Sequence, residues 1–231
     1  KLFSRDRNIW HISHEGGPIE NIETEPDESF WVLTVSPEKA PDKPEYVEIE
    51  FDAGAPVAVN GEKMKPKDIV KTLNKIGGKN GIGRCDMVEN RLVGMKSHGL
   101  YETPGGTILN YAHSELESIT LDRDSQHYKE VVASRYAELI YNGQWFSPLC
   151  SAMNKFFEEI DKTTSGTVKL KLYKGNIIPA GRISKYSLYS EKMASFGDVS
   201  LYDHKDATGF IRCFTLPNRV RSMMEKQLEN K

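Results

Sequence analysis

"TVKLKLYKGNIIPAGRI", residues 167–183, alternates Val168, Leu170 and Leu172 with Lys169 and Lys171, then meets a Gly175–Asn176 turn before a second apolar run. Alternation with one charged face describes a strand wet on one side, and the turn makes it half of a hairpin. Its position decides the fold class. It follows three runs of helical period: Ile108, Ala112, Leu116 and Ile119; Val132, Tyr136, Leu139 and Ile140; Met153, Phe156, Phe157 and Ile160. A doubly wound chain alternates strand and helix, whereas strands, then helices, then a hairpin point to α+β. The sequence therefore predicts an α+β fold, with a mixed or antiparallel sheet, packed helices and an extended C-terminal helix.

Working outward, Ser147 and Pro148 supply the cap and first position of the third helix. "YVEIEF" (46–51) and "PVAVN" (56–60) read as two strands joined by the turn Asp52-Ala53-Gly54-Ala55, with Asn60-Gly61 as the next turn. A helix is expected from about 66 to 76, opened by Pro66, carried by Ile69, Val70, Leu73 and Ile76, and stopped by Gly77-Gly78. The first 45 residues are rich in loops, with a strand expected at 30–35. In "RCDMVENRLVGMKSHGLYETPGGT" (84–107), Met87, Val88, Leu92, Val93 and Met95 read as core, Gly94 and Gly99 as bends, and many ionisable groups are threaded between them. "LPNRVRSMMEKQLENK" (216–231) places Val220, Met223, Met224 and Leu228 on one helical face, either self-packed or docked on another subunit.

The 231 residues suffice for one large domain or two small ones. With 31 basic against 33 acidic residues and no dense Lys/Arg block, a nucleic-acid partner is not expected. No apolar run is long enough for a membrane helix, and no signal-peptide pattern opens the chain, so a soluble protein is expected. The chain lacks an initiator Met and is expected to start within a longer protein. Cys85, Cys150 and Cys213 are odd in number and far apart, which fits a reducing, cytoplasmic compartment.

Generic catalytic signatures are missing: there is no G-x-G-x-x-G, Walker loop, H-E-x-x-H or G-x-S-x-G. His11 and His14 are three apart, but no thiol or carboxylate pattern completes a site, so no metal is expected. Gly16-Gly17, Gly77-Gly78 and Gly105-Gly106 lack the context of a phosphate loop.

The blocks "FSRDRNIWHIS" (3–13), "SPEKAPDKPEYVEIEF" (36–51), "GIGRCDMVENRLVGMKSHGLYETPGGTIL" (81–109), "RYAELIYNGQWFSP" (135–148), "LKLYKGN" (170–176), "YSLYSEKMASF" (186–196) and "YDHKDATGFIR" (202–212) together resemble the C-terminal part of argininosuccinate synthases, in order and spacing. The resemblance implies ATP-dependent joining of L-citrulline to L-aspartate, with argininosuccinate, AMP and pyrophosphate as products. In that mechanism ATP adenylates the ureido oxygen, and the aspartate amine then displaces AMP. The family's S-G-G-x-D-[ST] nucleotide loop belongs to an N-terminal domain and does not occur in these residues. ATP, with Mg²⁺, is therefore expected on that absent domain. Residues 1–216 are expected to form the synthetase domain and residues 217–231 a helix holding a cytoplasmic homotetramer. Four positions match the family's citrulline contacts: Ser4 in "FSRDRN", Ser13 in "WHIS", Glu89 in "MVENR" and Tyr101 in "GLYETP". A zwitterion with a neutral ureido tail needs such a mixture of one carboxylate and neutral hydroxyls. Arg7, His98 and Gly105 depart from the family's commoner residues and are expected to alter packing. The alternative is a non-catalytic oligomerisation or amino-acid-binding module derived from the same family.

Overall fold

The computed structural model describes residues 2–194, 203 and 205–230. Its contacts separate two units, Lys1–Leu188 and Tyr189–Lys231. In chain order the first contains β1 (Ser4–Arg7), β2 (Ile12–Glu15), β3 (Glu45–Asp52), β4 (Ala55–Val59), β5 (Glu62–Lys63), α1 (Pro66–Lys79), β6 (Arg84–Asn90) and β7 (Lys96–Glu102). It continues with α2 (Pro104–Thr120), α3 (Arg123–Tyr141), α4 (Pro148–Ile160), β8 (Gly166–Tyr173) and β9 (Asn176–Ile183). The second unit contains α5 (Glu191–Ala194), α6 (Asp206–Phe214) and α7 (Leu216–Glu229). Of the quoted blocks, Ser195, Phe196, Tyr202 and His204 lie outside the described residues.

The α+β reading holds, with two sheets, both antiparallel. The larger has the order β5-β4-β3-β8-β9. Val47 lies opposite Leu170 and Ile49 opposite Val168, so two rows of apolar side chains share one face. Helices α1 and α2 cover that face with Ile69, Leu73, Ile108, Ala112 and Leu116. Each Leu or Ile buried there contributes about 1.5–3 kcal/mol by leaving water. On the other face, the Lys169 ammonium lies 3.0 Å from Glu48, its cross-strand neighbour. The β8–β9 turn is Lys174–Gly175, one residue earlier than read, because these two residues take the left-handed backbone that a tight hairpin needs (φ 45° and 79°).

The glycines read as a helix stop are helical: α1 runs on to Lys79, with Gly77 and Gly78 buried. A Cβ on Gly77 would lie 2.9 Å from the Pro104 Cβ, and one on Gly78 only 2.1 Å from the Leu33 carbonyl oxygen. Gly105 reciprocates from α2, where a Cβ would stand 2.9 Å from the Val70 carbonyl oxygen. The glycine pairs thus permit a close approach of α1, the start of α2 and the segment at Leu33. Glycine costs about 1 kcal/mol per helical position, here offset by that packing.

Helices α3 and α4 have their own small core of Leu139, Cys150 and Met153, flanked by Tyr136 and Phe157. As expected, Ser147 caps α4 by accepting from the Cys150 N–H, with Pro148 in the first turn. The α7 stripe forms as read, beginning at Leu216, and leaves Val220, Met223, Met224 and Leu228 exposed. Among the described residues no helix is long and apolar enough to cross a membrane.

Two further expectations fail. Residues 30–35 form no strand: a 3-10 turn at Glu28–Phe30 leads into irregular backbone. The N–H groups of Val32, Leu33 and Thr34 donate to the carboxylate of Glu102, at 2.8 Å each, so they are not available to a neighbouring strand. The apolar residues of 84–107 are not core either. Met87, Val88 and Met95 are exposed, and Leu92 and Val93 keep 76% and 80% of their surface. They lie on the edge strand β6 and its turn, in the order β1-β2-β7-β6, while β7 buries Ser97, His98 and Leu100.

Candidate substrate site

In an antiparallel pair, directly opposed residues share a face and alternate ones lie behind it. The register of the four-stranded sheet sets Ser4 opposite Glu15, Ser13 opposite Tyr101, Tyr101 opposite Cys85, and Ser97 opposite Glu89. Ser4, Ser13, Glu89 and Tyr101 therefore all belong to one face. Three of them, Ser13, Glu89 and Tyr101, line an open cleft of about 780 Å³. Ser4 is on the outer strand β1, exposed and away from the cleft lining.

Glu89 and Tyr101 meet through the hairpin rather than through a bend at Gly99, which sits in regular strand β7. Gly99 serves by lacking a side chain: a Cβ there would fall 2.9 Å from the Tyr101 hydroxyl. The ring lies over this bare position, and Tyr101 donates to Glu89 Oε1 at 2.6 Å. Burial, and then the Glu89 carboxylate, push the Tyr101 phenol far above its ordinary range, which keeps it a neutral donor. The true bend is the β6–β7 turn, where Gly94 has φ 94° and the Arg91 N–H donates to the Met95 carbonyl.

Tyr141, Arg91 and Glu15 are among the cleft residues that the sequence reading did not assign to the site. Tyr141, at the end of α3, donates to Glu89 Oε2 at 3.4 Å, and the negative charge of Glu89 raises its phenol pKa. Arg91 reaches Glu15, with Nη2 and Oε2 2.6 Å apart. Two-residue spacing from Ser13 and from Glu89 was the available signal for Glu15 and Arg91. Tyr141 left none, since a helix end joins a sheet only through tertiary packing.

The reverse face is a polar support. Glu102, fully buried, accepts from Val32, Leu33 and Thr34 N–H groups, the Thr34 hydroxyl and His14 Nε2. Arg5 Nε donates to His14 Nδ1 at 2.9 Å, so the imidazole proton sits on Nε2, facing Glu102. Burial disfavours the Glu102 charge, but these donors outweigh it and hold the carboxyl below its usual range. His98 is tied to the Ile19 carbonyl and, at 2.7 Å, to Asp86. Both ring nitrogens of this buried imidazole therefore have partners. His11 lines the cleft while His14 is behind the sheet, so the two do not share a face.

Away from the cleft, His113, Glu117 and Asp161 bring ligand-type atoms together. The Lys129 ammonium contacts Glu117 and lies 2.6 Å from Asp161, so an internal cation already bridges the two carboxylates.

Residues 3–221 match the family model described as Arginosuccinate synthase C-terminal domain. The chain is 60% identical over 224 residues to the argininosuccinate synthase of Carboxydothermus hydrogenoformans, covering 97% of this chain and 56% of that protein. The corresponding protein of Desulforamulus reducens is 59% identical over 226 residues, 98% of this chain and 56% of its own length. That of Clostridium kluyveri is 52% identical over 230 residues. The chain thus spans a little over half the length of the curated relatives it matches. With a family match across nearly its whole length and several relatives above half identity, the chain belongs to the argininosuccinate synthase family, through that family's C-terminal domain.

Proposed function

We propose that this chain supplies the citrulline-binding wall of an argininosuccinate synthase, an ATP-dependent ligase of arginine biosynthesis that joins L-citrulline to L-aspartate and releases AMP and pyrophosphate. The convergence of Ser13, Glu89 and Tyr101 on one cleft carries the reading. Glu89 supplies a carboxylate acceptor for the substrate's ammonium group, and Tyr101 and Ser13 supply neutral groups. Ser4 shares the face but lies at the β1 edge outside the cleft lining, so its share in the proposed site is a contact with a substrate that extends past that lining. Holding citrulline still is this chain's share of the proximity term, which reaches several kcal/mol in well-oriented reactions.

ATP and Mg²⁺ are cosubstrates of the proposed reaction, and no residue of this chain is assigned to them. The S-G-G-x-D-[ST] run does not occur in its 231 residues, and at His113, Glu117 and Asp161 the Lys129 ammonium already pairs with both carboxylates. The 231-residue chain alone should release no citrulline-dependent pyrophosphate. Joined to the portion of the Carboxydothermus relative that it does not cover, it should form argininosuccinate from citrulline, aspartate and ATP. Citrulline-dependent pyrophosphate release by the chain alone, or an inert folded chimera, would count against the assignment.

We further propose a cytoplasmic homotetramer assembled through α7, whose exposed Val220, Met223, Met224 and Leu228 form a continuous apolar stripe. Deleting residues 217–231 should lower the mass measured by light scattering. An unchanged mass would place the interface elsewhere.

A further inference from the structure

The cleft holds two carboxylates, but they are not equivalent. Glu15 is balanced by Arg91 at 2.6 Å. Glu89 is met, among the described residues, by the neutral hydroxyls of Tyr101 and Tyr141. Apart from the His11 imidazole, the charged side chains lining the cleft are these two carboxylates and one guanidinium, which leaves a single uncompensated negative charge. Asp6 is on the same sheet face but outside the lining. The α-ammonium of an amino acid can meet the free Glu89 carboxylate. A second cationic group, as on a basic side chain, finds no free carboxylate in the lining unless Glu15 is released.

We infer that the Glu15–Arg91 pair is a specificity device: it masks Glu15 and so tunes the cleft to amino acids with a neutral side chain over basic ones. The inference rests on the citrulline reading above and adds what that reading lacks, a reason why a site with two carboxylates does not prefer ornithine or arginine. The pair reaches from the turn after β6 to the end of β2, across β7. The two side chains remain 28% and 39% exposed, so either can be changed without opening the core.

The test is a saturation-transfer NMR titration of the 231-residue chain with citrulline and with ornithine, comparing the ratio of the two dissociation constants. Arg91→Gln unmasks Glu15, and the ratio should move about tenfold towards ornithine, the scale expected for one added charge near a partly screened site. Glu15→Gln leaves Arg91 unpaired, and the ratio should move in the opposite direction. Arg91→Lys keeps the charge and should retain the parental ratio. General damage to the cleft cannot shift one ratio in opposite directions. A ratio that stays constant in either Gln variant, or shifts the same way in both, overturns the inference while leaving the citrulline reading intact. A parent chain that binds neither amino acid sinks the citrulline reading and this inference with it.

Discussion

Glu102→Gln should cost the chain about 2–6 kcal/mol of stability, at about 1–3 kcal/mol for each of at least two buried donors left without an acceptor. The carboxylate gathers five donors on two oxygens: three at Oε1, from Leu33 and Thr34, and two at Oε2, from Val32 and His14. Glutamine replaces one oxygen with a donor, so in either orientation at least two N–H or O–H groups confront an NH₂. Segment 31–34 then loses its main anchor to β7. Urea unfolding followed by tryptophan fluorescence measures the loss, with Trp31 adjoining the anchored segment. The acid limb provides a second readout. The folded pKa of Glu102 lies below its usual 4.5, so its contribution is complete above that value and is lost as pH falls through the depressed one. Stability of the parent should therefore fall more steeply in acid than that of the variant. Parallel pH curves, or a loss under 1 kcal/mol, would remove Glu102 from its supporting role.

Glu89→Gln should lower kcat/KM for citrulline by about 10- to 100-fold in the assembled synthase, equivalent to roughly 1.5–3 kcal/mol for a hydrogen bond to a charged group. The amide keeps the shape and one acceptor for the Tyr101 hydroxyl, so the hairpin should stand and the charge alone is removed. KM for ATP should move far less, since no nucleotide contact is assigned to this chain. Unaltered citrulline kinetics would return Glu89 to a structural role.

The elements legible in the sequence were those whose cause is local. The alternation in 46–60 and 167–183 and the stripe Ile108, Ala112 and Leu116 each state their own buried face within a few residues. Residues 30–35 were misread because their donors find a carboxylate 68–70 positions away, which no local pattern announces. Gly77-Gly78 carried the composition of a stop, but backbone approach from Leu33 and α2 requires it to be small. The edge position of β6 was equally invisible: Leu92 and Val93 look like core until the strand order leaves them no covering layer. For the site, the resemblance supplied Ser13, Glu89 and Tyr101, while Glu15, Arg91 and Tyr141 needed the sheet register and the position of α3.

The register that assembles the cleft also sets the order in which it can form. Glu89 and Tyr101 are 12 residues apart on one hairpin, a unit that closes in about 1–10 μs. Pairing of β2 with β7, which delivers Ser13, must close a loop of the length that separates His14 from Glu102, 88 residues. Loop closure across that distance is entropically slower and is rewarded only once Glu102 captures its donors. During refolding, the carboxylate half of the cleft should therefore exist well before the serine half. On the proposed reading, full citrulline affinity then becomes a late kinetic marker, reporting when the two ends of the first hundred residues have met.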